Sequence, residues 1–164
     1  MSANKDSQTF VYVTYINSTL EKVWDALTKN EFIEQFWGNS RIDCDWKVGS
    51  KFELRAPSGT VYDEGVVLAC EPPHHLSYTF KNVFFDELAA EPASRVDFKL
   101  ELQDGFVKLT LVHDQFPTPN SKYLRAISGG WPSILSGLKS LLETGKPLPF
   151  VWSHKNNNRA HKFG

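Results

Sequence analysis

The chain has little of what marks several large classes of protein. Only two of its 164 residues are cysteines, Cys44 and Cys70, which is too few for the disulfide framework of a small secreted domain. We therefore expect two buried, reduced thiols. The chain also has no excess of basic charge, since its formal net charge is -1 at pH 7. Without a concentrated positive field, nucleic acid and anionic lipid are not expected partners.

Long hydrophobic runs are missing as well. No apolar stretch approaches the roughly 20 residues that span a bilayer, and the N-terminus MSANKDSQTF lacks the apolar segment of a secretory signal. We expect a cytoplasmic protein. What the chain does have is 41% hydrophobic residues, enough at this length for one sizeable core.

This composition predicts one domain over residues 1–164, with a core from about residue 10 to residue 145. We expect the two termini, residues 1–8 and 151–164, to be flexible or peripheral. The second of these carries Lys155, Arg159 and Lys162 among asparagines, which is typical of a solvated extension. A basic docking arm is the alternative.

A strand followed by two helices is predicted at the start of the core. FVYVTYIN, from Phe10, is rich in β-branched and aromatic residues, whereas STLEKVWDALT changes to helical spacing. Ser18 and Glu21 fit a capping box at the start of this helix. A shorter helix is predicted from Asn30 to Phe36, capped by Asn30 or Thr28.

Short antiparallel strands follow, at Lys51–Arg55, Val61–Cys70 and Leu76–Phe80. The clearest pair is SRVDFKLELQ and FVKLTLVHD, joined at Asp104–Gly105, a dipeptide that favours tight hairpins. Alternation in the first strand of this pair places four apolar residues on one face of the sheet, namely Val96, Phe98, Leu100 and Leu102.

A long amphipathic helix is predicted near the end of the chain, in ISGGWPSILSGLKSLLETG. Pro132 is tolerated in a first turn, so the main helix is expected to start near Trp131. An earlier helical turn would join it through a kink at Gly129–Gly130. Gly145 is the expected stop.

Five blocks in this order resemble the bacterial homologues of the activator of Hsp-90 ATPase, in the START-like (SRPBCC, polyketide-cyclase-like) superfamily. They are FVYVTYINSTLEKVWDALT, CEPPHHLSYTF, SRVDFKLEL, LTLVHDQF and GGWPSILSGLKSLLETG, and the resemblance extends from about Phe10 to Gly145. It implies an α+β helix-grip fold like that of the Bet v proteins. A curved antiparallel sheet would wrap around the long C-terminal helix, with two short helices after the first strand.

The resemblance also implies a cavity between the sheet and the terminal helix. Aromatic and aliphatic side chains on the inner faces would bind an apolar guest, and a few polar groups would orient it. The alternative is that these residues only build a core. The candidate lining residues are Tyr12, Tyr62, Tyr78, Phe80, Phe98, His113, Ile127, Trp131, Leu135 and Leu138.

The pair His113–Asp114 invites an acid-base interpretation. Adjacent strand residues point to opposite faces, however, so we expect His113 to be a wall or core residue, and we assign no catalytic residue. Cys70, His74 and His75 contain zinc-compatible atoms but lack a convincing fourth ligand, so we expect no metal. No cofactor is predicted either.

The connection NVFFDELAAEPAS is more apolar than an ordinary loop. Its residues Phe84, Phe85 and Leu88 are candidates for a lid or for a contact in a homodimer. A short helix that folds its apolar side onto the core is the alternative.

The leading functional hypothesis is binding of a small hydrophobic ligand, which would be lipid-like, aromatic or polyketide-like. A co-chaperone that contacts an Hsp-90-type ATPase is the second hypothesis, as the family name implies. A polyketide aromatase or cyclase is the third, suggested only by the wider superfamily.

Overall fold

The computed structural model describes residues 8–150. Residues 1–7 and 151–164, and with them the predictions of a peripheral N-terminus and a basic tail, lie outside the described residues. Within the described range the elements follow in this order: β1 (Phe10–Ile16), α1 (Leu20–Thr28), α2 (Asn30–Phe36), β2 (Arg41–Cys44), β3 (Lys51–Arg55), β4 (Val61–Glu71), β5 (His75–Asn82), α3 (Asp86–Ala89), β6 (Ser94–Gln103), β7 (Phe106–Asp114) and α4 (Lys122–Thr144).

The strands form one seven-stranded antiparallel sheet in the order β1-β7-β6-β5-β4-β3-β2. Chain neighbours are therefore neighbours in the sheet, except that β1 lies at the far edge beside β7. The core lies between the inner face of the curved sheet and α4, and α2 packs against both α4 and β2. The predicted α+β helix-grip fold is confirmed.

The hairpin between β6 and β7 is confirmed. Asp104 and Gly105 have φ angles of 55° and 85°, as a two-residue turn with positive φ at both positions requires. Val96, Phe98 and Leu100 are buried, whereas Leu102, opposite the buried Val107, is 63% exposed. Alternation predicts the face of a strand but not how deeply each residue is buried, and Leu102 lies at the end of the hairpin, two residues before the turn.

The predicted caps of the first two helices are wrong. Thr19, not Ser18, caps α1, and its Oγ1 accepts a hydrogen bond from the amide of Lys22. Lys29 occupies the capping position of α2. Asn30 instead uses both ends of its side-chain amide to bind the backbone of Ile42, at 3.0 and 2.7 Å, and so joins α2 to β2.

The start of α4 also differs from the prediction. The helix runs unbroken from Lys122, so Trp131 lies in its middle and Pro132 lies inside it. Ser121 is the capping residue, with Oγ accepting from the amide of Leu124 at 3.0 Å. The stop at Gly145 is confirmed, since this residue has a φ of 86° and donates to the carbonyl of Leu141.

Two smaller expectations concern thiols and membranes. Cys44 and Cys70 are free, as expected, but both are half-buried rather than buried. Among the helices of residues 8–150, none combines the length and apolar character needed to cross a membrane.

Candidate functional site

A small cavity lies between α4 and the sheet. Its volume is about 10 Å³, whereas a single water molecule needs roughly 10–15 Å³. Of the predicted lining residues, this cavity brings together Phe80, Ile127 and Trp131; its other walls are Trp37, Gly130 and Ile134. This cavity is therefore too small for a ligand, and three of its lining residues, Trp37, Phe80 and Trp131, form what is called the aromatic wall below.

Trp131 is the centre of the aromatic wall. It is 2% exposed, and its ring centroid lies 5.2 Å from that of Trp37 and 5.8 Å from that of Phe98. Trp37 comes from the residue after α2, and Phe98 from the inner face of β6. Side chains from the end of α2 and from β6 thus converge on one side chain of α4.

The other predicted lining residues are spread over the core. Leu135 and Leu138 are buried on the face of α4 that meets the sheet. Tyr78 stacks on Phe52 with ring centroids 4.2 Å apart, and Tyr12 is half-buried against the core. None of these four residues lines the small cavity.

Tyr62 is buried near the irregular start of β4. The register of β3 with β4 shifts here, from Leu54 opposite Asp63 to Arg55 opposite Val61, and both Tyr62 and Asp63 are buried. The ring of Tyr62 packs against Phe84 and Phe85, with centroids 4.8 and 6.2 Å apart. Tyr62 does not line the small cavity, and its contact with a guest stays a prediction.

A chain of hydrogen bonds holds His113 inside the core. The indole nitrogen of Trp131 donates to Nδ1 of His113 at 3.0 Å, so the imidazole proton must lie on Nε2. That nitrogen is 2.7 Å from Oγ of Ser94, which donates in turn to the carbonyl of Phe80. The order of donors fixes His113 as the neutral tautomer protonated at Nε2.

His113 is consequently not a proton shuttle near neutral pH. Its burial lowers the pKa of the imidazole to about 3. A second proton would also have to sit on Nδ1, where the indole N–H of Trp131 already points. Asp114 pairs on the other side of the strand with Arg95 at 2.7 Å, so the predicted separation of the two adjacent side chains agrees with the structure.

A second buried polar group lies at Asp63 on β4. Its Oδ1 accepts hydrogen bonds from the hydroxyl of Tyr123 at 2.5 Å and from the amide of Asn82 at 3.1 Å. Burial raises the pKa of Asp63 to about 7, against the lowering effect of these two hydrogen bonds. Its other oxygen, Oδ2, is buried and has no hydrogen-bond partner among the described residues.

The two polar groups affect stability in opposite directions. Asp63 has its pKa raised from 3.8 to about 7, so folding is weakened as the pH rises through that window because the unfolded chain releases the proton more easily. His113 has its pKa lowered from 6.5 to about 3, so folding is weakened as the pH falls below 6.5. Between about pH 4 and pH 6.5 both groups titrate, and their effects on the free energy of unfolding largely cancel.

Phe80 joins the two groups. Its ring stacks on Tyr123 with centroids 6.0 Å apart and meets His113 edge-on at 5.7 Å. It also lines the small cavity. Asp63, His113 and the cavity are therefore parts of one connected region.

The segment from Val83 to Ala93, called the lid segment below, is attached at both of its ends. At its start, Oδ1 of Asn82 accepts from the amides of Phe84 and Phe85. Near its end, the carboxylate of Glu91 binds the hydroxyl of Ser121 and the amide of Lys122, at 2.5 and 2.9 Å. Glu91 thus caps α4 from a remote part of the chain.

Inside the lid segment, α3 places Leu88 in the core with 2% exposure. Phe85 is half-buried against the same core, while Phe84 packs on Tyr62 and Phe85. The short helix agrees with the alternative given above for this connection. Movement of the segment as a lid stays a prediction.

A larger groove of about 410 Å³ lies on the outer face of the sheet. None of the predicted lining residues contributes to it; its walls are Gly49, Lys51, Glu64, Gly65, Val66, Thr79, Lys81 and Ala93. The groove is open to solvent. It therefore lacks the enclosed walls that a hydrophobic ligand requires.

The zinc-compatible residues do not converge. His75 binds Asp97 at 2.6 Å, whereas Nδ1 of His74 faces the carbonyl of Leu100. Over residues 8–150, no group of three or more His, Cys, Asp or Glu side chains is arranged to hold a metal ion.

The sequence analysis missed the residues that make the interior polar: Asp63, Asn82, Ser94 and Tyr123. A signal existed for Asp63, because it lies four residues before Val67 in a strand whose alternate residues face inward. Ser94 and Tyr123 gave no such signal, since serine and tyrosine are common at the ends of elements.

A model of the family described as activator of Hsp90 ATPase homolog 1-like protein matches residues 17–143. No curated protein matches the chain. Among solved structures, a protein from Mesorhizobium loti is 29% identical with a TM-score of 0.71, over 82% of this chain and 96% of that one.

Two further structures share the fold at lower identity. An Hsp90 activator from Plasmodium falciparum is 22% identical with a TM-score of 0.67, over 82% of this chain and 96% of its own. The Aha1 dimer from Colwellia psychrerythraea is 20% identical with a TM-score of 0.68, over 84% of this chain and 98% of its own. At these identities the likeness shows the fold alone.

Proposed function

Since the chain belongs to the family of activator of Hsp90 ATPase homolog 1-like proteins, we propose that it binds a small hydrophobic molecule between the sheet and α4. One observation carries the proposal: an aromatic interior contains a buried carboxyl group, Asp63, with one oxygen that lacks a hydrogen-bond partner. Apolar walls with a few converging polar groups of perturbed pKa are typical of ligand sites.

A core built only for stability would not need this group. A buried polar atom without a partner costs about 1–3 kcal/mol, and an apolar side chain at position 63 would avoid that cost. The hydrogen-bond chain through His113 is different, because each of its members is paired. Asp63 is therefore the residue that distinguishes a binding site from a filled core.

Binding requires the interior to open. Ligand pockets usually enclose about 300–1,000 Å³, whereas the cavity holds about 10 Å³. The lid segment is the part proposed to move: Phe84 and Phe85 are only half-buried, although Leu88 would have to leave the core. Its displacement would uncover the end of the interior where Asp63 and Tyr123 meet.

Ligand exchange tests the proposal. The purified protein is first examined by native mass spectrometry for retained small molecules, and then titrated with an apolar fluorescent dye and a panel of fatty acids, flavonoids and polyketides. We expect at least one saturable binder near one-to-one stoichiometry. An empty spectrum together with no saturation across the panel contradicts the proposal.

Replacing both Phe84 and Phe85 with serine tests the lid. Because their contacts with Tyr62 and the core are lost, we expect the bound dye to dissociate several-fold faster. Phe106→Ser is the matched control, since Phe106 is 42% exposed beside the β6–β7 turn. Unchanged exchange in the double variant, with loss of a dimer in size-exclusion chromatography, would assign the segment to an interface instead.

A co-chaperone role is a second candidate, favoured by the family description itself. The domain would then bind an Hsp90-type ATPase through its surface, with no need for the interior to open. The purified protein should raise the ATP turnover of its host's chaperone. No rate change and no association at high micromolar concentration would remove this candidate.

A cyclase-type reaction has no comparable support. His113 is the only buried histidine among the described residues, and its single imidazole proton faces Ser94. With a pKa of about 3, it is a poor general base at neutral pH.

A further inference from the structure

We propose that Oδ2 of Asp63 receives the hydroxyl group of an apolar alcohol or phenol. This inference rests on the proposed function, because it names the chemical class of the ligand and the atom that selects it. The observation behind it is that the two oxygens of this carboxyl group have different hydrogen-bonding environments. Oδ1 accepts two hydrogen bonds, from Tyr123 and Asn82, while Oδ2 is buried without a partner.

A hydroxyl group suits this oxygen better than other polar groups. Both donors to Asp63 are neutral, and its pKa of about 7 allows both protonation states near neutral pH. A hydroxyl can donate to the ionised carboxylate and can accept from the protonated acid, so it satisfies Oδ2 in either state. An ether can only accept, and a hydrocarbon can do neither.

Carboxylic acids are disfavoured by the same geometry. A second carboxylate placed next to Asp63 would repel it, and one of the two groups would have to take up a proton. The described hydrogen bonds of Asp63 include none from a lysine or arginine that could offset the charge. A fatty acid whose carboxylate is placed beside Asp63 is therefore disfavoured by charge repulsion.

The apolar part of the ligand would extend along α4, from Asp63 towards the small cavity beside Trp131. Tyr123 and Ile127 lie one helical turn apart on the same face of α4, a spacing of about 5–6 Å. Tyr123 contacts Asp63, and Ile127 lines the small cavity beside Trp131. A ring system whose hydroxyl is at Asp63 would thus reach the aromatic wall within one or two fused rings.

The lid segment, through which a ligand would enter, is attached to the residues that bind Asp63. Asn82 donates to Asp63 and accepts from the amides of Phe84 and Phe85 in the lid segment, at 3.0 and 2.8 Å. Glu91, near the other end of the segment, accepts from the amide of Tyr123 at 3.4 Å. Both ends of the lid segment are therefore attached to the two residues that hold Oδ1, so displacement of the segment would disturb the contacts of this carboxyl group.

The experiment compares 2-naphthol with 2-methoxynaphthalene, which differ by one methyl group on the oxygen. Binding is measured by fluorescence titration at pH 7. We expect the wild type to bind the naphthol about five- to tenfold more tightly, as one buried hydrogen bond to an otherwise unpaired group predicts. Asp104→Asn, in the exposed turn of the β6–β7 hairpin, is the matched control and should retain this preference.

Asp63→Asn should abolish the preference while retaining the fold. Its carbonyl oxygen is kept towards Tyr123 and Asn82, since both donate, and its amide nitrogen then takes the place of Oδ2. An amide N–H donates equally to a hydroxyl or to an ether oxygen, so the two probes should bind within about twofold of each other. Asp63→Leu, which offers no polar atom, provides a second test of the same loss.

The outcomes separate the two proposals. Equal binding of both probes to the wild type, or a preference that survives in Asp63→Asn and Asp63→Leu, overturns the inference and leaves hydrophobic binding in place. Failure of both probes to bind also overturns the inference. In that case the apolar dye and the ligand panel decide separately whether the proposed function stands.

Discussion

The variant Leu138→Ala tests how closely the interior is packed when no ligand is present. Leu138 is completely buried on the face of α4 that meets the sheet, and it does not line the small cavity beside Trp131. We therefore treat it as a residue of a close-packed core. Truncation of Leu138 to alanine should therefore lower the free energy of unfolding as much as a truncation elsewhere in a close-packed core.

The magnitude follows from the atoms removed. Three carbon groups are lost, at about 0.8 kcal/mol each for transfer from water, which gives about 2.4 kcal/mol. The void left behind adds about 24 cal/mol for each Å³ that does not collapse, so we expect a total of about 3–5 kcal/mol. For a chain of this size that corresponds to a fall in Tm of roughly 6–20 °C.

Urea denaturation of the ligand-free variants provides the measurement. Leu100→Ala, on the inner face of β6 with 1% exposure, is the comparison for a packed core and should lose a similar amount. Leu102→Ala, at 63% exposure, should change stability by no more than about 0.5 kcal/mol. A loss of about 1 kcal/mol at Leu138 beside a severe loss at Leu100 would refute the reasoning, because it would mean that the region around α4 is already open in solution.

Two further predictions concern pH and a close backbone contact. Asp63→Asn removes the contribution that opposes that of His113. The free energy of unfolding of this variant should therefore rise between pH 4 and 6.5, by up to about 1.4 kcal/mol per pH unit. Urea titrations at pH 4.5, 5.5 and 6.5 provide the measurement, and a free energy as independent of pH as that of the wild type would contradict the prediction. Gly65→Ala would place a Cβ 1.8 Å from the carbonyl oxygen of Thr79, so we expect a loss of about 2 kcal/mol or more in thermal unfolding. Gly129→Ala, which meets nothing within 4 Å on α4, is the control and should stabilise by about 0.5–1 kcal/mol; equal effects at both glycines would refute the close contact.

Local patterns were sufficient to predict the elements whose signals lie within themselves. The β6–β7 hairpin follows from alternation and from Asp104–Gly105, and the end of α4 follows from Gly145, because each of these depends on neighbouring residues. The start of α4 could not be predicted in this way. Its cap includes Glu91, which lies 30 residues before Ser121 and is brought there only by the fold.

The candidate site was less predictable for a similar reason. Apolar residues such as Trp131 and Phe80 were recognised as interior, but whether they leave a cavity depends on how side chains from α2, α4 and the sheet fill a shared volume. Asp63 was overlooked because an aspartate in a strand usually faces water. Its significance becomes visible only when Tyr123 is found opposite it, 60 residues later.

The pairing of β1 with β7 has a consequence for synthesis on the ribosome. Phe10 pairs with His113, so the first strand has no partner until roughly a hundred further residues have been translated, which takes about 5–20 s at common elongation rates. Throughout that interval FVYVTYI, which has no charge and no proline, is an unpaired aggregation-prone segment in the nascent chain. Until β7 has emerged, the sheet cannot close, and this segment stays without its native strand partner.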